Sequence, residues 1–335
     1  MRWRSGRTRG SSACTTDVRK RRAADKPRRA AKGGQKMKGL ASFAEMIAAA
    51  KRRGPKRVVV ACAEDCATIE ALHLARAEGI AHGVLYGDEQ RISTICASQK
   101  IPTDEFSIRG TRSVEDSIRQ AVKDVADSGD FLMKGQVETA AFLRGALDET
   151  LGLRGERILS HVALLELPTY RKILFVTDGG INTDLDLKRK IDIVRNGVEL
   201  ARFLGVERPK VALLSAVEKI SLNMAETLDW AIITRMGDQG EFGAAQIEGP
   251  LALDVAFSPE AARIKRVASE VSGDVDVLVV PTLATGNILA KGLQLLGGAK
   301  VAGIVVGARK PIVMLSRADE PATKLYSLAL GNLAS

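Results

Sequence analysis

Aromatic residues are scarce in this 335-residue sequence, with eight Phe, three Tyr and two Trp. Histidine is scarcer, at three, and cysteine stands at four. Four cysteines in a chain of this length make no disulfide framework, and Cys62-x-x-x-Cys66 is not the CxxC spacing of a redox or zinc pair. Small-hydrophobe packing at a strand end is the reading for both. His73, His82 and His161 do not cluster at ligand spacing, so no metal is expected; His73 and His161 read as satisfied structural histidines. No run approaches the ~18 uninterrupted apolar residues of a membrane span. The longest candidate, after Asp276, is broken by Pro281, Thr282, Thr285, Gly286 and Asn287 and stops at Lys291. GxGxxG, GxxxxGK[ST] and GxSxG are absent, which argues against dinucleotide, P-loop and α/β-hydrolase sites. A reducing compartment follows, most simply the cytoplasm, with no membrane partner.

What is present begins with charge. The chain carries a net +10. Residues 1–36 hold 13 Lys and Arg against Asp17 and Asp25, a net of +11; the other 299 residues are close to neutral, at −1. That tail is rich in Arg, Ser, Gly and Ala and has no apolar periodicity, so it cannot bury enough surface to offset its ordering entropy. No apolar segment follows it, which argues against a secretory signal. A transit peptide and a nucleic-acid-binding arm remain open, and no nucleic-acid partner is expected unless through this segment. Met37 opens the first patterned stretch (MKGLASFAEMIAAAK), so translation from Met37 is the simplest account.

From there the pattern alternates. Leu40–Arg53 is amphipathic and ends at Gly54-Pro55, a helix stop. Strands are expected at 57–61, 81–86, 131–134, 162–166, 172–177, 210–214, 230–234, 275–280, 302–306 and 311–315. Helices are expected at 68–79, 88–98, 113–128, 139–150, 186–204, 219–228, 287–296 and from 320. Ser113-Val-Glu-Asp116 is a capping box. Runs such as VDVLVV, KVALL and KILFV are continuously apolar, as in parallel strands covered on both faces. The class is α/β with three layers.

Open α/β sheets bind ligands where strands end and helices begin. Four such loops are polar and glycine-rich: Asp178-Gly-Gly-Ile-Asn182, Pro281-Thr-Leu-Ala-Thr-Gly286-Asn287, Gly307-Ala-Arg-Lys310 and Ser316-Arg317-Ala-Asp319. Small residues running into a helix offer free N–H groups and a positive dipole end to phosphate, and Arg adds a bidentate grip. Each loop alone has a structural reading of equal weight.

As an ordered set they have a familiar look. The run Leu278–Ala329 resembles the phosphate acetyltransferase and phosphate butyryltransferase family. So do Lys134-Gly, Thr139-Ala-Ala-Phe-Leu-Arg144, Asp178-Gly-Gly-Ile-Asn182 and Gly249-Pro-Leu-Ala-Leu-Asp254, and the match spans 38–335. GPLALD and the S-R-x-D ending look more like the butyryl branch. The resemblance implies two three-layer α/β domains around a cleft, similar to the isocitrate and isopropylmalate dehydrogenases. The first domain is 38–155 plus 308–335, and the second is 156–307. It also implies a homo-oligomer and the reaction acyl-CoA + phosphate ⇌ acyl phosphate + CoA, with no cofactor beyond the CoA thioester substrate.

The chemistry of that reaction suits these residues, because phosphate attacks the thioester directly and the site must grip an anion and steady an oxyanion. By resemblance, Arg317 and Arg144 clamp phosphate and Ser316 donates to the oxyanion or sulfur. Asn182, Gly286 and Asn287 line the cleft, and Lys291 meets CoA phosphates or is a solvated helix residue. Asp178 and Asp254 read equally as loop or cap residues. The acetyl branch resembles S-R followed by an Asp seven residues past the Ser, as base for the CoA thiol; here that position is Thr323, which leaves Asp319 as the candidate. The segment Gln246–Asp254 has an apolar patch that meets an acyl chain or packs, and Trp230 is expected in the core. A metal-dependent decarboxylating dehydrogenase would need a D-x-x-x-D ligand pair that is not evident. A non-catalytic CoA-binding relative is argued against by Ser316, Arg317 and Arg144.

Overall fold

A computed structural model describes residues 39–314 and 319–335, all within one compact unit. The basic tail, Cys14, Ser316 and Arg317 lie outside the described residues.

The chain alternates much as its pattern predicts. In order the first elements are α1 (Phe43–Arg53), β1 (Lys56–Ala61), α2 (Cys66–Ala77), β2 (Ala81–Gly87), α3 (Glu89–Ser98) and β3 (Ser107–Gly110). Then come α4 (Val114–Asp127), β4 (Phe131–Lys134), α5 (Thr139–Ala146), β5 (Ser160–Glu166), β6 (Leu174–Thr177), α6 (Leu187–Phe203) and β7 (Lys210–Leu214). The rest are α7 (Ala225–Asp238), β8 (Gln246–Leu251), α8 (Leu253–Phe257), α9 (Pro259–Lys265), β9 (Val277–Val279), α10 (Leu283–Leu295), β10 (Lys300–Val306), β11 (Ile312–Met314) and α11 (Pro321–Ala334). Caps mark the starts as expected: Ser113 Oγ accepts from Asp116 N at 3.1 Å, and Gly54 closes α1 at φ 87°.

Three expectations are corrected. Residues 230–234 are not a strand but the middle of α7, where Thr227, Trp230 and Ile233 are buried at helical spacing. A four-residue apolar run fits either period, and burial on one face decides for the helix. Trp230 is fully buried, its Nε1 donating to Leu214 O. Conversely, Gln246–Leu251, where no strand is expected from the sequence, is the edge strand β8, a place where a sheet tolerates proline. The helix from Thr139 also stops early, at Ala146, and Asp148 then turns the chain by accepting from Thr150 N.

All strands join one sheet in the order β3-β2-β1-β4-β11-β10-β5-β6-β9-β7-β8. Pairing is parallel through β3–β11 and through β6–β8. It is antiparallel at β11–β10, β10–β5 and β5–β6, so the sheet is mixed rather than wholly parallel. β10 runs beside β5 along its whole length but meets β11 at a single register pair, Val305 opposite Ile312. The two parallel halves are therefore joined by a narrow waist.

The core shows the same division. On one face, alternate residues of nearly every strand (Val58, Phe131, Val162, Phe175, Val211, Ala302, Val313) belong to one continuous cluster under α1, α2, α6, α7 and α11. On the other face there are two clusters. Val59, Leu132 and Ile312 pack beneath α4 and α5; Leu165, Val176, Leu278 and Val301 pack with α8, α9 and α10. Between them, the central strands present His161, Ala163 and Gly303, and the bulk needed to close a core is missing.

Candidate active site

That gap is a pocket. It is lined by His161 and Ala163 of β5, Gly303 of β10, Gly179 after β6, one face of α10 including Gly286, Asn287 and Lys291, Asp319 ahead of α11, and Thr323 and Ser327 within it. Four of the residues singled out in the sequence, Gly286, Asn287, Lys291 and Asp319, thus come together.

The loop after β6 is built around Asp178, which has no exposed surface. Its carboxylate accepts from Gly180 N (2.8 Å), Ile181 N (3.1 Å), Asn182 N (3.2 Å) and Asn182 Nδ2. This is the loop-organising alternative for Asp178. It also corrects the expectation for Asn182, whose amide nitrogen is spent on Asp178 and on Leu159 O (2.7 Å) instead of lining the pocket. The peptide bond Thr177–Asp178 is cis.

The glycines of the two loops have a steric reason. A Cβ on Gly179 would fall 2.8 Å from Gly286 C, and one on Gly286 would fall 2.8 Å from Gly179 Cα, so the β6 loop and the first turn of α10 touch backbone to backbone. Asn287 Nδ2 then donates to Gly179 O (3.2 Å), and Thr282 Oγ1 caps the helix by accepting from Thr285 N (3.1 Å). The result is a helix N-terminus, with its positive dipole end, held at the rim of the pocket.

Arg144 is exposed on α5, outside the pocket lining. Asp254 pairs with Lys265 at 2.9 Å on the surface, a structural use. Of the apolar patch 246–254, Leu251 and Ala252 are buried. Leu253 instead lines a second, apolar pocket with Tyr170, Phe257, Leu289 and Leu293. Cys62 is buried and its thiol is pushed up by that burial, whereas Cys66 is exposed at the start of α2, against the packing expectation. His73 is satisfied, its Nδ1 2.7 Å from Glu105 Oε2.

His161 is not satisfied, contrary to the sequence reading. Its Nδ1 is buried without a hydrogen-bond partner among the described residues. Burial lowers its pKa, with the charges of Asp178 and Asp319 pulling the other way. In sequence it is a lone histidine ahead of an apolar run. Gly180 and Gly303, each of which leaves room for its ring, meet it only in the folded sheet, so no local signal marks it.

With this geometry in view, comparison with known proteins decides the family. The model of the family described as "Phosphate acetyl/butaryl transferase" matches residues 109–331. This chain belongs to that family. A phosphate butyryltransferase of Clostridium acetobutylicum is 41% identical over 297 residues, 88% of this chain and 99% of the relative. A phosphate acetyltransferase of Rhizobium meliloti is 37% identical, over 87% of this chain and 92% of its own length. The crystal structure of a branched-chain phosphotransacylase from Enterococcus faecalis superposes with a TM-score of 0.74 at 31% identity, covering 83% of this chain and 99% of that one. The fold is the two-lobed α/β arrangement of the phosphotransacylases, similar to isocitrate dehydrogenase, and the protein is an acyltransferase.

Proposed function

We propose that the protein catalyses acyl-CoA + phosphate ⇌ acyl phosphate + CoA, with butyryl or a similar short chain as the acyl group. The observation that carries this is the pocket itself. A helix N-terminus, the Asn287 amide, Lys291 and Asp319 converge where the sheet's core is interrupted. Phosphate sits against the first turn of α10, and the thioester lies across the floor formed by Ala163 and Gly303. By the family resemblance, Arg317 and Arg144 grip the phosphate and Ser316 donates to the oxyanion. Lys291 is exposed at the pocket edge and meets the CoA phosphates. Asp319 brings a carboxylate to the pocket, where position 323 is a threonine.

The waist between β10 and β11 supports the division into domains 38–155 plus 308–335 and 156–307. Exposed Ile288 and Leu295 on α10, and Leu296 at its C-terminal end, support a homo-oligomer. Three free cysteines among the described residues fit a reducing cytoplasm. Among the same residues no helix is long and apolar enough to cross a membrane. The reaction needs no prosthetic group, because a thiolate is a competent leaving group.

The acyl chain is tested by thiol release from acetyl-CoA and butyryl-CoA, with and without inorganic phosphate. Faster phosphate-dependent release from butyryl-CoA is expected. Faster release from acetyl-CoA would keep the reaction and overturn the chain length.

A further inference from the structure

The pocket holds a titratable group for which the site as described has no use. His161 lies on β5, and its ring occupies a space cleared from both sides. A Cβ on Gly180 would come within 2.9 Å of the ring, and one on Gly303 within 2.9 Å of Nε2. Such a space is not needed to pack a core strand, whose neighbouring positions carry Val162 and Leu164. A histidine kept for structure normally spends its ring nitrogens on hydrogen bonds, as His73 does with Glu105. Nδ1 of His161 has none among the described residues. Among the described residues, the charged groups facing it are Asp178 from the β6 loop and Asp319 ahead of α11, with Lys291 from α10 lining the same pocket; β10 contributes only the glycine.

The site also lacks a suitable base where the family resemblance places one. Thr323 lines the pocket and is 9% exposed, but a hydroxyl cannot take a thiol proton. Asp319 is a poor match as first acceptor, since a carboxylate ionises near ~4 and an alkyl thiol near ~8.5, whereas imidazole at ~6.5 lies closer to the thiol and to neutral pH.

We propose that His161 takes the proton of the CoA thiol when acyl phosphate is the acyl donor, a role that rests on the phosphate acyltransferase reading above. The S–H proton passes to Nε2, which stands over Gly303. The sulfur pair forms the bond to the acyl carbon, and the carbon–oxygen bond to phosphate breaks with its electrons going to the phosphate oxygen. The imidazolium then gives its proton to that oxygen, so the products are acyl-CoA and hydrogen phosphate and the ring is neutral again. The opposite direction runs the same steps backwards. Burial keeps the resting ring neutral and able to accept, and the charges of Asp178 and Asp319 favour the imidazolium once formed.

The test is kcat/KM for CoA with butyryl phosphate, from pH 6 to 9, for the unaltered protein and for His161→Gln. At pH ~6.5 the variant is expected to lose about 10²-fold. The loss shrinks to a few-fold by pH ~9, where solution already supplies the thiolate. A loss of constant size across the range would make His161 merely structural and overturn the proposal, as would no loss. Should the variant not fold, His73→Gln/His82→Gln leaves His161 as the one ring to follow by NMR. Its titration midpoint is then expected to coincide with the acidic limb of the CoA profile, and a midpoint elsewhere overturns the assignment. If the unaltered protein forms no acyl-CoA from acyl phosphate, the underlying reaction is wrong; if it does and the loss is flat with pH, only the role of His161 fails.

Discussion

Asp178 sets the geometry of the site at the scale of single residues. Its buried carboxylate accepts from three backbone N–H groups and one amide, and those bonds hold Gly179 and Gly180 against α10 and the His161 ring. Asp178→Asn turns one acceptor into a donor facing donors. It is expected to cost about 2–4 kcal/mol of stability and to lower activity at least tenfold, as read by denaturant melts and thiol release. Legibility at this scale was uneven. Gly286, Asn287, Lys291 and Asp319 could be picked out because a small-residue loop before a helix and a charged strand end have local signatures. His161 could not, because its importance comes from Gly303, far away in sequence and opposite Ala163 only in the folded sheet. Asn182 was misplaced for the converse reason: its amide looks free in sequence and is used up by a loop that only the fold closes.

At the scale of elements, the central contact is the β6 loop against the first turn of α10. Gly286→Ala places a methyl 2.8 Å from Gly179 Cα and 2.9 Å from Asp178 O. Backbone on both sides cannot give way, so the two must separate. The expected cost is about 1–3 kcal/mol with a rise in KM for phosphate; an unchanged KM would mean the helix end is not the phosphate subsite. A second packing device fixes α4 on β1 and β2. Arg57 makes paired 2.7 Å bonds to Asp124, and Tyr86 donates to the same carboxylate at 3.0 Å. Burial raises the Asp124 pKa, but the bonds from Arg57 and Tyr86 outweigh it and hold the carboxyl below its usual value. The unfolded chain then binds the proton more readily, so this stabilisation is complete above the unfolded value near pH ~3.9 and is lost as pH falls through the lower folded one. Asp124→Asn is expected to lower the melting temperature at pH 7 and to have a smaller effect near pH 3. Elements with one clear period were legible, capping box included. Those that failed were α7, where a short apolar run fits two periods, and β3 and β8, edge strands too polar or too broken by Gly249-Pro250 to announce themselves.

At the scale of the whole molecule, the net charge is concentrated at one end of the sequence. The net +11 of residues 1–36 adjoins 299 nearly neutral residues, and the Clostridium acetobutylicum relative is covered almost completely by a match spanning 88% of this chain. Protein begun at Met37 is therefore expected to keep full acyltransferase activity and to lose any binding to nucleic acid, measured by electrophoretic shift; binding that survives would place a basic surface in the folded part. The α/β class was legible because strands buried on both faces must be apolar throughout. The antiparallel waist was not, because β5 and β10 are as apolar as their parallel neighbours and nothing local states their direction. That waist interrupts one core layer and leaves the pocket proposed here for phosphate and thioester. The most direct test supplies butyryl-CoA and isotopically labelled phosphate and counts both products. One butyryl phosphate carrying the label for each thiol released is the predicted result. Thiol released without labelled acyl phosphate would make the protein a thioesterase and contradict the account.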